Sequence, residues 1–188
     1  INQTVKFAAP DVRLAALMHD VGKPYCVAKF GNMHGHEVIS AHIVRYDLGE
    51  YGLKYPNDVI EEVEWLCLNH MYDIARNTKE AKLKIFVAAN FDRIDKLVEL
   101  MEADNLARGM DDETREVRLK AVKQKLIEEG APITLSDLKL DGSVLIREGI
   151  QPVKIGGVLN ELWRACVIDP RLNNEAWLLK QVSKYKED

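Results

Sequence analysis

Nowhere in these 188 residues does the alternation of a half-buried strand persist, whereas apolar side chains recur every three or four positions in almost every segment. That spacing commits the chain to packed amphipathic helices, an all-α fold. Ala9-Pro10-Asp11 reads as a helix start with proline in the first turn, followed by a stripe of Leu14, Leu17 and Met18. This helix is expected to run out at Gly22, with Pro24 forbidding continuation and a loop rich in glycine and aromatics from Tyr25 to Gly35. A second helix opens near His36 and runs past Val44. A third starts at Pro56-Asn57-Asp58, with Val59, Val63, Leu66, Cys67 and His70 on one face. Lys79 to Ala89 gives a fourth. Phe91 to Arg108 gives a fifth, striped by Ile94, Leu97, Val98 and Met101.

Asp111-Asp112-Glu113 sits where a helix N-terminus favours negative charge. From Thr114 to Glu129 the chain is charged nearly all round, and Gly130-Ala131-Pro132 breaks it. Ser136 to Tyr185 reads as two or three shorter helices separated by Gly149, Pro152, Gly156 and Pro170. A boundary near Gly109-Met110 divides the chain into residues 1–110, a helical core, and residues 111–188, a helical linker and smaller tail unit.

No apolar run approaches the roughly 18 residues needed to span a bilayer, so no membrane partner is expected. Ile1 to Phe7 show no secretory signal. The chain opens on isoleucine rather than methionine, as a processed product or a piece of a longer protein would. Cys26, Cys67 and Cys166 are odd in number and widely spaced. They read as ordinary half-buried thiols in a reducing, cytoplasmic compartment. A net charge of −4 argues against a dedicated nucleic-acid binder while leaving room for a local RNA-contacting face.

The five histidines, His19, His34, His36, His42 and His70, all fall between positions 19 and 70. Such crowding points to a site. His19-Asp20 closes an apolar helix, and both side chains can reach one ion only if the backbone bends away, which Gly22 permits. Imidazole with carboxylate suits Mn, Fe, Ni, Co, Zn or Mg, so the divalent metal is not chosen by ligand type. Asp104 continues the stripe of Leu97 and Met101 and points a carboxylate inward, where it needs a cation or donors. It is either a metal ligand or half of a helix-end salt bridge to an arginine. His70 is either a ligand or a satisfied core histidine; His36 is either a ligand or a helix cap. His34 and His42 read as surface or outer residues. Lys23 is a solvated charge or a phosphate contact.

The segments "LAALMHDVGKP", "HGHEVISAHIV", "LNH" and "LMEADNLARG", in this order, resemble the HD superfamily of metal-dependent phosphohydrolases. More narrowly they are similar to the HD region of bacterial tRNA nucleotidyltransferases, the CCA-adding and poly(A) polymerase family. The tail, "IQPVKIGGVLNELWRACVIDPRLNNEAWLL", is similar to the segment that closes chains of that family. The likeness spans residues 10 to 182.

This resemblance implies an HD-type helical core in which His19, Asp20 and Asp104 are metal ligands. His36 and His70 would complete a second-metal or phosphate-facing set, and Lys23 matches the lysine after the His-Asp pair. Asp20 and Lys23 would be the catalytic residues, with Lys23, His36 and His70 holding substrate. Two departures stand out. The ligand histidine usual upstream of the pair is missing from the eighteen residues before His19, and so is the nucleotidyltransferase head. Both fit a fragment of a longer parent that supplies them. The implied activity is hydrolysis of a nucleotide or RNA phosphoester. The alternative is a catalytically silent helical platform that grips tRNA.

Overall fold

The computed structural model describes residues 9–49, 51–109 and 114–185, and among these every regular element is helical. Helices α1 (Pro10–Met18), α2 (Lys23–Phe30), α3 (His36–Leu48), α4 (Asn57–Asn69), α5 (Glu80–Ala89) and α6 (Ile94–Ala107) are followed by α7 (Thr114–Glu128). Then come α8 (Gly142–Arg147), α9 (Pro152–Ile168) and α10 (Glu175–Val182), with single 3-10 turns before α8, between α9 and α10, and after α10. No helix among the described residues is long and apolar enough to cross a membrane. The acidic run Asp111-Asp112-Glu113, Met110 at the expected boundary, and Ile1 to Phe7 lie outside the described residues.

The chain forms two compact units. The first gathers residues up to 77 with 93–118. Its core is built from Val12 and Ala15 of α1, Val44 of α3, Val63, Leu66 and Cys67 of α4, and Leu97, Val98 and Met101 of α6, all buried. Helix α4 packs on α1, α3 and α6. The buried Glu62 strengthens that packing: its carboxylate meets Arg93 at 2.9 Å and Lys96 at 3.1 Å, and Lys96 also reaches Asp11 at 2.6 Å. A buried carboxylate is tolerable only with such partners.

The second unit takes residues 78–92 and 119–188. Its centre is α9, packed against α5, α8 and α10. Leu83, Val87, Leu119, Leu126, Leu145, Leu162, Cys166, Leu178 and Val182 are buried in it. Lys84 ties this unit together, donating to Glu129 Oε2 at 2.6 Å and to the Ile168 carbonyl at 3.1 Å.

Four readings of the sequence need correction. The stretch from Tyr25 is helix until Phe30: Pro24 lies in the first turn, where its missing N–H costs nothing, and Gly31 ends the helix in the left-handed region at φ 73°. Gly156 separates nothing. Helix α9 runs through it, held by the buried Val158, Leu162, Trp163, Cys166 and Val167, and Pro152 begins that helix. The first helix ends at Met18, so residues 19–22 form the turn between α1 and α2. The three thiols are fully buried instead of half-buried.

Candidate metal centre

His19 and His70 follow the last residues of α1 and α4, and His36 is the first residue of α3. Each imidazole folds back on the carbonyl three residues earlier. Nδ1 of His19 lies 3.1 Å from the Ala16 carbonyl, that of His36 2.8 Å from Met33, and that of His70 2.6 Å from Cys67. The last turn of a helix leaves carbonyls without intrahelical donors, so an imidazole at that end satisfies one of them. A carbonyl can only accept; Nδ1 therefore carries the proton of each neutral ring, and Nε2 is left as the atom that takes a cation or a second proton.

Those Nε2 atoms converge on Asp20. Its Oδ1 is 3.2 Å from His36 Nε2 and 3.8 Å from His70 Nε2, and its Oδ2 is 3.4 Å from His19 Nε2. His36 Nε2 and His70 Nε2 are 3.2 Å apart. Asp104 enters from α6, with Oδ1 3.7 Å from His19 Nε2. Its other oxygen is 3.0 Å from Arg108, so the helix-end salt bridge and the approach to His19 coexist. Lys23 Nζ contacts Asp20 Oδ2 at 2.5 Å. His34 and His42 are exposed.

The turn that delivers His19 and Asp20 is pinned to α3. Gly22 N donates to the buried Ser40 Oγ at 3.0 Å. A Cβ on Gly22 would stand 2.6 Å from the His36 carbonyl oxygen and 2.8 Å from Ser40 N. Gly22 is helical at φ −75°. Its need is therefore room for close approach, and the expected backbone freedom plays no part.

The electrostatics match this surplus of acceptors. Burial would lower the pKa of His19, but the carboxylates of Asp104 and Asp20 outweigh it and raise the group to about 9. His70 is lowered to about 4, chiefly by burial, with His19 and His36 adding repulsion. Burial opposes ionisation of Asp20, yet His19 and Lys23 carry its pKa well below the usual carboxylate range. Cys67 is pushed up to about 12, mostly by burial, and its Sγ donates to the Ala15 carbonyl at 3.9 Å.

A divalent cation fits this donor set. His19 Nε2 is buried without a hydrogen-bond partner, and ligand atoms of His19, Asp20 and His70 lie within 4.8 Å of one another. Asp104 and His36 border the same cluster. The sequence reading missed the supports: Ser40, Arg108 and Arg115. Arg108 was visible in principle, four residues beyond Asp104 on one helix. Arg115, whose Nη1 donates to the His70 carbonyl at 3.2 Å, lies in a segment that reads as solvated charge, although it is only 4% exposed.

An HD domain family model matches residues 2–120. Over 114 residues the chain is 39% identical to a CC-adding tRNA nucleotidyltransferase of Thermus thermophilus, covering 57% of this chain and 25% of that protein. The chain thus spans a quarter of the length of that curated relative. No solved structure matches it.

Proposed function

The chain belongs to the HD domain family, whose members are generally metal-dependent hydrolases, and from that premise we propose that it hydrolyses phosphoesters of nucleotides or RNA ends. The observation that carries this reading is the buried Nε2 of His19, without a hydrogen-bond partner and flanked by the Asp20 and Asp104 carboxylates, in a ring of imidazoles whose Nε2 atoms all face inward. His19, Asp20 and Asp104 would hold a divalent ion, with His36 and His70 completing the set. When bound, such an ion supplies Lewis-acid polarisation of a phosphoryl oxygen and acidifies water. Asp20, held ionised, would orient a water through the oxygen that faces His36 and His70. Lys23 holds the other Asp20 oxygen in place and offers positive charge to a phosphate. The backbone bonds of the three imidazoles keep their rings from turning as charge develops.

The test is hydrolysis of a panel of nucleoside monophosphates, cyclic nucleotides and RNA ends with added Mn2+ or Co2+. Metal-dependent release of phosphate or nucleoside, lost in Asp20→Ala, is the expected result. Full metal binding with no turnover on any substrate would overturn it.

A second reading, a helical tRNA-gripping platform without hydrolysis, draws on the likeness to a CC-adding tRNA nucleotidyltransferase. Under it residues 111–188 would make the contact. They carry 13 basic and 14 acidic residues, so that contact would be weak and salt-sensitive. If low-salt tRNA affinity survives removal of this tail, the tail is not the contact.

A further inference from the structure

Two adjacent charged residues at the start of α7 are buried where the sequence shows only a charged helix. Arg115 is 4% exposed and Glu116 fully buried. Burying ionised side chains is costly unless they are bonded, and both are bonded toward the metal centre. Arg115 Nη1 donates to the carbonyl of His70, the residue at the end of α4. Glu116 Oε1 accepts from Asn105 Nδ2 at 2.7 Å. Asn105, itself buried, turns its Oδ1 to Arg108, which donates from Nη2 at 2.7 Å. The same Nη2 is 3.0 Å from Asp104 Oδ2. The amide of Asn105 can point only one way between a carboxylate and a guanidinium, so the line has one sense. It runs from Glu116 through Asn105 and Arg108 to Asp104, whose other oxygen faces His19.

We propose that the first turn of α7 positions the metal centre, Arg115 fixing His70 through its backbone and Glu116 fixing Asp104 through Asn105 and Arg108. The inference rests on the metal-centre reading above. These four are positioning residues: none reaches the converging ligand atoms, and each constrains one that does. Outer partners of this kind change metal affinity by roughly 10- to 100-fold when removed.

The test is Co2+ binding by calorimetry and by the visible spectrum of the bound ion, on the full chain. Asn105→Leu and Arg108→Gln should each weaken Co2+ binding by about tenfold or more. In an Asp104→Asn background the same changes should cost less than about twofold, because they act through Asp104. Arg115→Gln should likewise lose its effect when His70 is already alanine. Arg108 is half exposed, so Arg108→Gln keeps the cycle readable if Asn105→Leu fails to fold. Melting of the metal-free variants confirms that they are folded. Equal losses in both backgrounds, or no loss in Arg108→Gln, would overturn the inference while leaving the metal centre standing. Failure of the unaltered chain to bind Co2+ at all would overturn both.

Discussion

Nε2 of His36 stands 3.2 Å from Nε2 of His70, while each ring donates its Nδ1 proton to a carbonyl of its own chain. Two lone pairs facing each other at that distance need a cation or a proton between them. Asp20 and His19 extend the same arrangement, so metal and protons compete for one set of atoms.

That competition sets the pH dependence of binding. Without metal, His19 holds its proton up to about 9, because Asp104 and Asp20 outweigh its burial. A cation must displace that proton at lower pH. Affinity for Mn2+ or Co2+ should therefore rise by about tenfold per pH unit below 9 and level off above it. Calorimetry at several pH values checks this; affinity unchanged between pH 6 and 8 would contradict it.

The metal-free protein should be most stable near pH 6.5. His19, raised to about 9, contributes stability that is full below its ordinary value near 6.5 and is lost as pH rises through 9. His70, lowered to about 4, favours the neutral ring; its contribution is full above 6.5 and is lost as pH falls toward 4. Thermal melting in chelator across this range should show a maximum, and His70→Gln should flatten its acid side. Melting temperatures that rise steadily from pH 5 to 9 would be inconsistent with these two shifts.

Gly22→Ala should damage both fold and site. The added methyl would meet the His36 carbonyl and Ser40 N, which are backbone atoms that cannot swing aside. Overpacking of this kind costs about 1–3 kcal/mol. It pushes the His19-Asp20 turn away from α3, so metal affinity should fall with stability. Urea denaturation together with Co2+ titration measures both, and a variant unchanged in each would show that the close approach is unimportant.

Much of this was legible in the sequence. The 3.6-residue stripes mark α3, α4 and α6 because each buries a continuous apolar face, and the glycine and proline stops lie near most helix ends. Helix α2 was not legible, because Pro24 is equally at home after a helix and in the first turn of a new one. The crowding of histidines pointed to a site without separating His19, His36 and His70 from His34 and His42, and the stripe through Met101 turned Asp104 inward; the ligand set followed only from the family resemblance. Arg115, Glu116 and Asn105 escaped notice because their roles depend on partners distant in sequence or on burial that local charge pattern does not reveal.

Among single substitutions, Asp20→Ala should abolish hydrolysis and Asp104→Ala reduce it strongly. His42→Ala should be nearly neutral, since His42 is exposed on α3. Steady-state rates with Mn2+ on the best substrate of the panel rank the three; a large loss in His42→Ala would misplace the site.

The most direct measurement is the divalent metal content of the chain, purified without added metal and analysed for its elements beside Asp20→Ala. The account predicts about one ion per chain in the former and nearly none in the latter. Equal metal in both proteins, or none in the unaltered chain even after incubation with Mn2+ or Co2+, would contradict it.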